Sequence, residues 1–460
     1  MVSDSSPEQR FSLQLQPAPA WMAILGLVLF SAASILVGAG GILRLAFPLL
    51  SFAVGVFLYL RYPILYIGFT YWLWILTPFV ARLIDYRNVF DPLRLVIVTP
   101  YLVTLITLAT FLRYFPSYFR QGGLPFLLAF AAVFYSFLIG LINNSPIAVA
   151  RSLLDYLTPI LFGFYFFVNW RNYPQYRECI LRTFLWGVLM TGIYGVYQYL
   201  VAPEWDRLWL INSGDLVISM GKPEPLMIRV WSTMNSPGTF GAFMMAGLIL
   251  LFSSRDALRF PAATFGYLAF LLSLVRSSWV GWLAAMIFLF SSLKSQLQIR
   301  LIITIFALSL CVLPLSTIEP FSTVVGSRLE SLSNVEEDGS FKARSEIYNT
   351  NLEIAFSEGL GGGLGSIFGQ NGFDSGILEF FFTMGWLGAI PYLGGFILLI
   401  IRAFQYSESL SDTFLRATRA VVIANFTLLI FGNSFAGFGG LITWGFLGIT
   451  IAGHKYHQQI

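Results

Sequence analysis

Three arginines and one aspartate are the side chains of this 460-residue chain best suited to chemistry on an anionic group. Arg229 opens the run RVWSTMNSPGTFG, Arg276 stands in VRSSWVGW, and Arg344 precedes the glycine-rich run GLGGGLG at Gly359–Gly365. Asp374 follows in FDSGILEFFFTMGWLG, close to Glu379. A guanidinium stays protonated, and its planar fork donates paired hydrogen bonds to oxyanions. A carboxylate at a water boundary is suited to take a proton from a hydroxyl. Arg229, Arg276 and Arg344 are therefore the candidate substrate-binding residues and Asp374 the candidate catalytic base, with Arg151 and Arg328 in reserve.

Each of these stretches also has a plainer reading. Asn235-Ser236-Pro237 marks a turn and a helix start, whose unpaired N–H groups would face an anion, or Arg229 is an interfacial arginine beside an ordinary helix. Arg276 crests a tight hairpin, where it faces an aqueous cleft or snorkels as a membrane anchor. Between Ala343 and Ser357, Arg344, Tyr348, Leu352, Ala355 and Phe356 share one helical face, which predicts an amphipathic helix on the membrane surface or a cover over the scaffold. The glycines either cradle phosphate oxygens with their amides or act as a flexible connector, and they lack the spacing and lysine of a nucleotide-binding loop. Asp374 and Glu379 also suit ordinary dipole compensation at a helix start.

The rest of the chain is the scaffold that must position these residues. It is 57% hydrophobic, 17% aromatic and only 11% charged, far below the roughly 25% charged of a soluble domain. That composition predicts an integral membrane protein with no room for a separate soluble domain. Candidate spans fall at 21–43, 45–60, 63–81, 95–112, 124–142, 157–170 and 183–202. A second set covers 237–254, 260–275, 277–293, 301–318, 378–401, 418–432 and 435–452, giving 12 to 14 helices. Continuous rather than alternating apolar runs favour an all-α bundle over a barrel. None of these spans carries a charge near its centre, which argues against an ion-coupled carrier.

With the N-terminus inside, the inner segments hold 15 of the 27 basic residues and six of the acids. The positive-inside tendency then places loops 203–236 and 317–379 outside. The longer loop carries ten acidic and three basic side chains. Residues 1–20 read as a polar cytoplasmic arm and 21–460 as a single membrane domain. The only histidines, His454 and His457, lie at the end of the chain, so neither a histidine-rich metal site nor a triad with a mid-chain histidine is available. Cys179 and Cys311 do not suit a disulfide.

Taken in order, four stretches resemble the O-antigen ligase and O-antigen polymerase superfamily of bacterial envelope glycosyltransferases. They are Arg229 with Asn235 and Pro237; Arg276 with Ser277 and Gly281; Arg344 leading to Gly363 and Gly365; and Leu378 to Gly388, ending Gly385-Trp386-Leu387-Gly388. The resemblance covers roughly residues 124–450. It implies a polytopic, C-type glycosyltransferase-like bundle in the bacterial inner membrane, multi-pass with both termini cytoplasmic, whose periplasmic loops form the active site. The implied donor is a glycan on undecaprenyl diphosphate and the acceptor another glycan or lipid-linked glycan. Membrane lipids and chain-length regulator or export proteins are further implied partners, with no nucleic acid, cofactor or metal. The ligases place a His-Asn pair where this chain has Asp374-Ser375, so the expectation shifts toward polymerisation of O-antigen or exopolysaccharide. Ligation to an acceptor lipid or protein, a small-solute or anion transporter, and a structural partner of an export complex are the alternatives.

Overall fold

The computed structural model describes residues 17–91, 94–118, 122–213, 220–292, 298–299, 302, 352, 359–366, 375–405 and 412–459. Within them the regular secondary structure is helical, apart from one isolated antiparallel bridge between Gly221 and Ile228. In chain order the helices are α1 (Ala18–Val37), α2 (Gly40–Arg61), α3 (Pro63–Arg87), α4 (Thr99–Leu105), α5 (Leu108–Tyr118), α6 (Leu124–Asn143), α7 (Pro146–Val168) and α8 (Tyr173–Val201). They continue with α9 (Glu204–Asn212), α10 (Pro237–Leu251), α11 (Arg259–Leu272), α12 (Arg276–Ser292), α13 (Gly376–Phe404), α14 (Thr413–Leu428) and α15 (Gly437–Gln459).

Eight segments among the described residues are long and apolar enough to cross a membrane. They are α1, α2, α3, the run Leu95–Tyr114, α6, α7, the run Trp170–Val201 and α13. The chain is thus an all-α, multi-pass membrane protein. The sequence reading counts more spans because it also includes α10, α11, α12 and α14, which are 14 to 17 residues long, the 23-residue α15, which is long enough but stands outside the eight, and 301–318, which lies almost wholly outside the described residues. Its boundaries also shift. The first break falls at Gly38, which ends α1 in a left-handed turn (φ 78°) rather than near residue 44. Helix α7 begins eleven residues before the expected start, and so carries Arg151 and Asp155 in its first half.

Helix α15 is the axis of the bundle. Its residues from Gly440 to His454 are all buried, and it runs closest to α7. A Cβ on Gly163 of α7 would lie 2.6 Å from the Trp444 carbonyl oxygen, and one on Gly448 would lie 2.3 Å from that of Gly163. Small residues on facing helices allow this backbone approach, which supplies dispersion contact where lipid gives no hydrophobic drive between helices. At the periphery, α1 and α2 turn Met22, Leu36, Ile42 and Leu49 outward, as a lipid-facing surface requires.

One helix is broken. Gly385 (φ 60°, ψ −177°) interrupts α13 near its start. The broken turn leaves the carbonyls of Phe382 and Thr383, which accept N–H bonds from Gly362 (2.8 Å) and Gly363 (3.0 Å), while Trp386 N–H donates to the Gly359 carbonyl (3.0 Å). On its other side the strip meets α6, where Leu364 N–H donates to Ser136 O (2.8 Å). The Asn144 amide donates to the Gly362 and Leu364 carbonyls at 2.9 and 3.1 Å. The glycine-rich run is therefore neither a phosphate cradle nor a loose connector. Its central amides are committed to stitching α6 to the broken α13, as non-helical backbone within a bilayer protein demands.

The left-handed Gly363 (φ 80°) would place a Cβ 2.2 Å from the Gly140 backbone nitrogen, whereas one on Gly394 meets nothing within 4 Å. Gly363→Ala is expected to cost about 2–3 kcal/mol through overpacking and backbone strain. Gly394→Ala should leave stability unchanged or slightly raised. Thermal unfolding of the two variants in detergent checks this; equal melting temperatures would show that the strip does not bear on the fold.

Candidate functional site: an arginine turn and a carboxylate cluster at one end of the bundle

Helices α3, α8 and α11 finish, and α4, α7, α10, α12, α13 and α15 begin, at the same end of the bundle. There α9 and residues 220–236 form a cap with its own small apolar centre, made of Ala202, Trp209, Leu210, Met220, Ile228 and Trp231. The cap is fastened by a fully buried ion pair, with Arg82 Nη1 of α3 2.9 Å from Asp206 Oδ1 of α9. Asp206 Oδ2 also accepts from the Tyr194 hydroxyl and the Gln198 amide, both at 2.7 Å. Burial pushes the Asp206 carboxyl up from its ordinary value, against the opposing pull of Arg82, Tyr194 and Gln198.

The same groups hold the backbone that follows Arg229. Arg82 Nη2 donates to the Ser232 carbonyl (2.6 Å), and Gln198 Oε1 accepts the N–H groups of Trp231 (3.1 Å) and Ser232 (2.8 Å). Ser232 has left-handed backbone (φ 52°), and its hydroxyl donates to Thr191 O at 2.6 Å. Such a conformation costs about 1–3 kcal/mol and persists only where surroundings over-determine it, as they do here.

Arg229 lies across the end of α11. Val230 N–H donates to Leu272 O (3.1 Å), Arg229 Nε to Ser273 O (3.3 Å) and Nη2 to Leu274 O (3.1 Å). The guanidinium thus caps carbonyls that a helix C-terminus leaves unpaired, where a cation is also favoured by the helix dipole. Leu274 (φ 54°) reverses the chain, and Arg276 is the first residue of α12. The structure therefore brings the Arg229 and Arg276 segments to one turn, although they are distant in sequence. Beside them α10 starts at Pro237, and the Ser236 hydroxyl accepts the Gly238 and Thr239 N–H groups at 3.1 and 3.4 Å. Part of the expected anion-facing set of amides is consequently taken by the helix's own cap.

Sequence reasoning named Glu379 but missed the rest of a second polar group at this end. The Tyr101 hydroxyl of α4 donates to Asp155 Oδ1 of α7 at 2.5 Å. The Asn433 amide donates to Glu379 Oε1 of α13 (3.0 Å) and to the Tyr156 hydroxyl (2.6 Å). Gly437 (φ 55°) admits this crowding, since a Cβ there would stand 3.3 Å from Asp155 Oδ1. An aromatic row of Phe243, Phe438, Trp74 and Tyr101 links the cluster to α10 and so to the arginine turn. The available signal was Arg151-x-x-x-Asp155, four residues apart and so on one helical face.

Arg151 lies one turn before Asp155 on α7 and is exposed. Arg344, Asp374 and the reserve Arg328 lie outside the described residues, as does nearly all of the expected amphipathic helix at 343–357. Ser375, the neighbour of Asp374, is buried at the start of α13 and accepts Glu379 N–H at 3.1 Å. Among the described residues no three His, Cys, Asp or Glu side chains converge as a metal site would require.

No protein-family model matches this chain, and no curated protein matches it in sequence. What this end of the helical membrane scaffold offers chemically is a cationic turn and, apart from it, a set of hydrogen-bonded carboxylates.

The Arg82–Asp206 pair decides whether the cap holds. Arg82→Met strands a buried carboxylate and is expected to cost about 3–5 kcal/mol. Adding Asp206→Leu should restore part of that loss by removing the stranded charge. Unfolding of single and double variants in detergent measures this; a double variant no more stable than the single would show that the pair is not the fastening.

Proposed function

We propose that this protein is a membrane glycosyltransferase that polymerises glycan repeat units carried on undecaprenyl diphosphate, at the outer face of the bacterial plasma membrane. The observation that carries the reading is the docking of Arg229 on the carbonyls of Ser273 and Leu274, which sets two arginine-bearing segments on one turn, at the end of the bundle that also holds the Asp155 and Glu379 carboxylates. The resemblance of the same segments to envelope glycosyltransferases, in the same order, supports it.

In the proposed reaction the acceptor's hydroxyl oxygen attacks the anomeric carbon of the donor sugar, and the bond from that carbon to the diphosphate oxygen breaks. The hydroxyl proton passes to a carboxylate, and the lipid diphosphate leaves with the bonding pair. Two features fit these demands. Arginine side chains supply permanent charge and paired donors for a diphosphate leaving group. Carboxylates supply proton acceptors without a histidine. Arg276 is assigned to the diphosphate, with Arg229 both holding the turn and adding to its field, and Arg344 is retained as a third ligand from the outer loop. Asp374 remains the proposed base because Glu379 is already engaged by Asn433.

The test is incubation of purified protein with a lipid-linked oligosaccharide, followed by gel analysis. A ladder is expected; a single transfer would make the protein a ligase, and solute uptake in liposomes without release of lipid diphosphate would make it a transporter. Arg276→Ala should lower polymer formation by about 100-fold or more, the usual loss on removing a transition-state donor, with membrane levels intact. Arg276→Lys should recover only part, because the charge returns without the fork. Wild-type ladders from Arg276→Ala would remove the reading.

Asp374→Asn should lose more turnover than Glu379→Gln, measured as initial rates at neutral pH. The reverse order would transfer the base role to Glu379.

A further inference from the structure

A separate small cleft opens at the same end of the bundle, between α2, α3, the segment before α4, and the residue just ahead of the α10 cap. Its walls include Arg44, Asp85, Asp91, Arg94, Trp209 and Asn235, around a free volume of about 10 Å³. That is room for one water-sized group at its floor. Two atoms on its walls are buried and without hydrogen-bond partners: Asn235 Oδ1, an acceptor, and Arg44 Nε–H, a donor. Leaving such groups unsatisfied costs about 1–3 kcal/mol each, so the cleft is completed by something that both donates and accepts.

The lining also says what that something is not. Two arginines stand against two aspartates, and the Arg44 guanidinium is already paired with Asp85 at 2.8 Å and with the Val89 carbonyl. Formal charges on the walls cancel, so an anion gains little here. A neutral hydroxyl matches the orphan acceptor and donor together. Trp209, buried in the apolar centre of the cap, closes one side of the cleft, and acid, amide and guanidinium groups together supply the donors and acceptors that sugar hydroxyls need. Arg94, at the cleft's edge, has left-handed backbone (φ 50°), a strained arrangement of the kind found at ligand sites.

We infer that this cleft is a carbohydrate subsite that seats one sugar hydroxyl between Asn235 Oδ1 and Arg44 Nε, with the ring outside against its rim. Its choice of ligand rests on the glycosyltransferase reading, whereas its place rests on the cleft alone. Asn235 follows Arg229 by six residues on a segment locked by Ser232, so the subsite is tied to the arginine turn by rigid backbone. The division of labour is a cationic turn for the diphosphate and a neutral cleft for the glycan.

The experiment uses full-length protein in nanodiscs with a panel of neutral monosaccharides: glucose, galactose, mannose and rhamnose. Binding is followed by saturation-transfer titration and by amide hydrogen exchange of residues 94–98 and Ser236. At least one sugar should bind and slow exchange at those amides in the wild-type protein. Asn235→Leu, nearly isosteric, and Arg44→Lys, which keeps the charge opposite Asp85 but removes Nε–H, should each weaken that sugar about tenfold, the usual worth of one hydrogen bond. Absence of sugar binding, wild-type affinity in both variants, or the same protection from glycerol or inorganic pyrophosphate would overturn the subsite. The exchange readout on wild-type protein stands even where a variant fails to fold. Protection without polymer formation would keep the subsite and remove the proposed reaction, and polymer formation without protection would do the opposite.

Discussion

Wherever a helix stops inside a membrane scaffold, its unpaired carbonyls and amides must find partners within the protein, and this constraint organises the site end of the bundle. At the end of α11 the partner is the Arg229 guanidinium. At the break in α13 it is the amides of Gly362 and Gly363. Ahead of α10, Gln198 takes the amides of Trp231 and Ser232, and Ser236 takes those of Gly238 and Thr239. Water would serve at a soluble surface at little cost, but lipid offers no such relief. Side chains that look like spare chemistry in the sequence are thus partly structural, and the same atoms that close helix ends hold the candidate site in register.

The buried Arg82–Asp206 pair extends the argument from backbone to charge. Neither member has solvent, and the contact is ionic rather than a well-aligned hydrogen bond, since neither Nη1 nor Oδ1 has a hydrogen-bond partner. A pair of this kind adds little net stability over apolar packing, but losing one partner is costly. Its consequence is geometric: Arg82 also holds the Ser232 carbonyl and lies near the rings of Phe79 and Trp209. The cap, the strained Ser232 and the Arg229 turn are therefore fixed as one unit.

Composition and run lengths made the all-α membrane class readable, and the turn residues located the starts of α10 and α12 closely. The long-range pairing of Arg229 with the end of α11 was not readable, because it depends on where two helix ends meet. Expecting charges to end spans hid Arg82 and Asp155: both lie within helices, and both have partners that offset part of the cost of burial. Asn433 joins Glu379 to Tyr156 only because a loop folds back over α13 and α7. Counting glycines pointed to a phosphate cradle or a connector at 359–365 and not to the helix break they serve, since the break at Gly385 has no mark in the sequence beyond one more glycine.

Arg276 stands in a different local setting from the other two arginines. Arg229 is explained by the helix end it caps, and Arg82 by the pair it forms. Arg276 instead opens α12, where the positive end of the dipole opposes a cation by some tenths of a kcal/mol to about 1 kcal/mol. An acidic or neutral capping residue would stabilise that helix better. In the proposed reaction an anion at the start of α12 would offset that cost, because it would meet the guanidinium and the dipole together. On that proposal the local cost would turn into binding energy only on arrival of the diphosphate substrate.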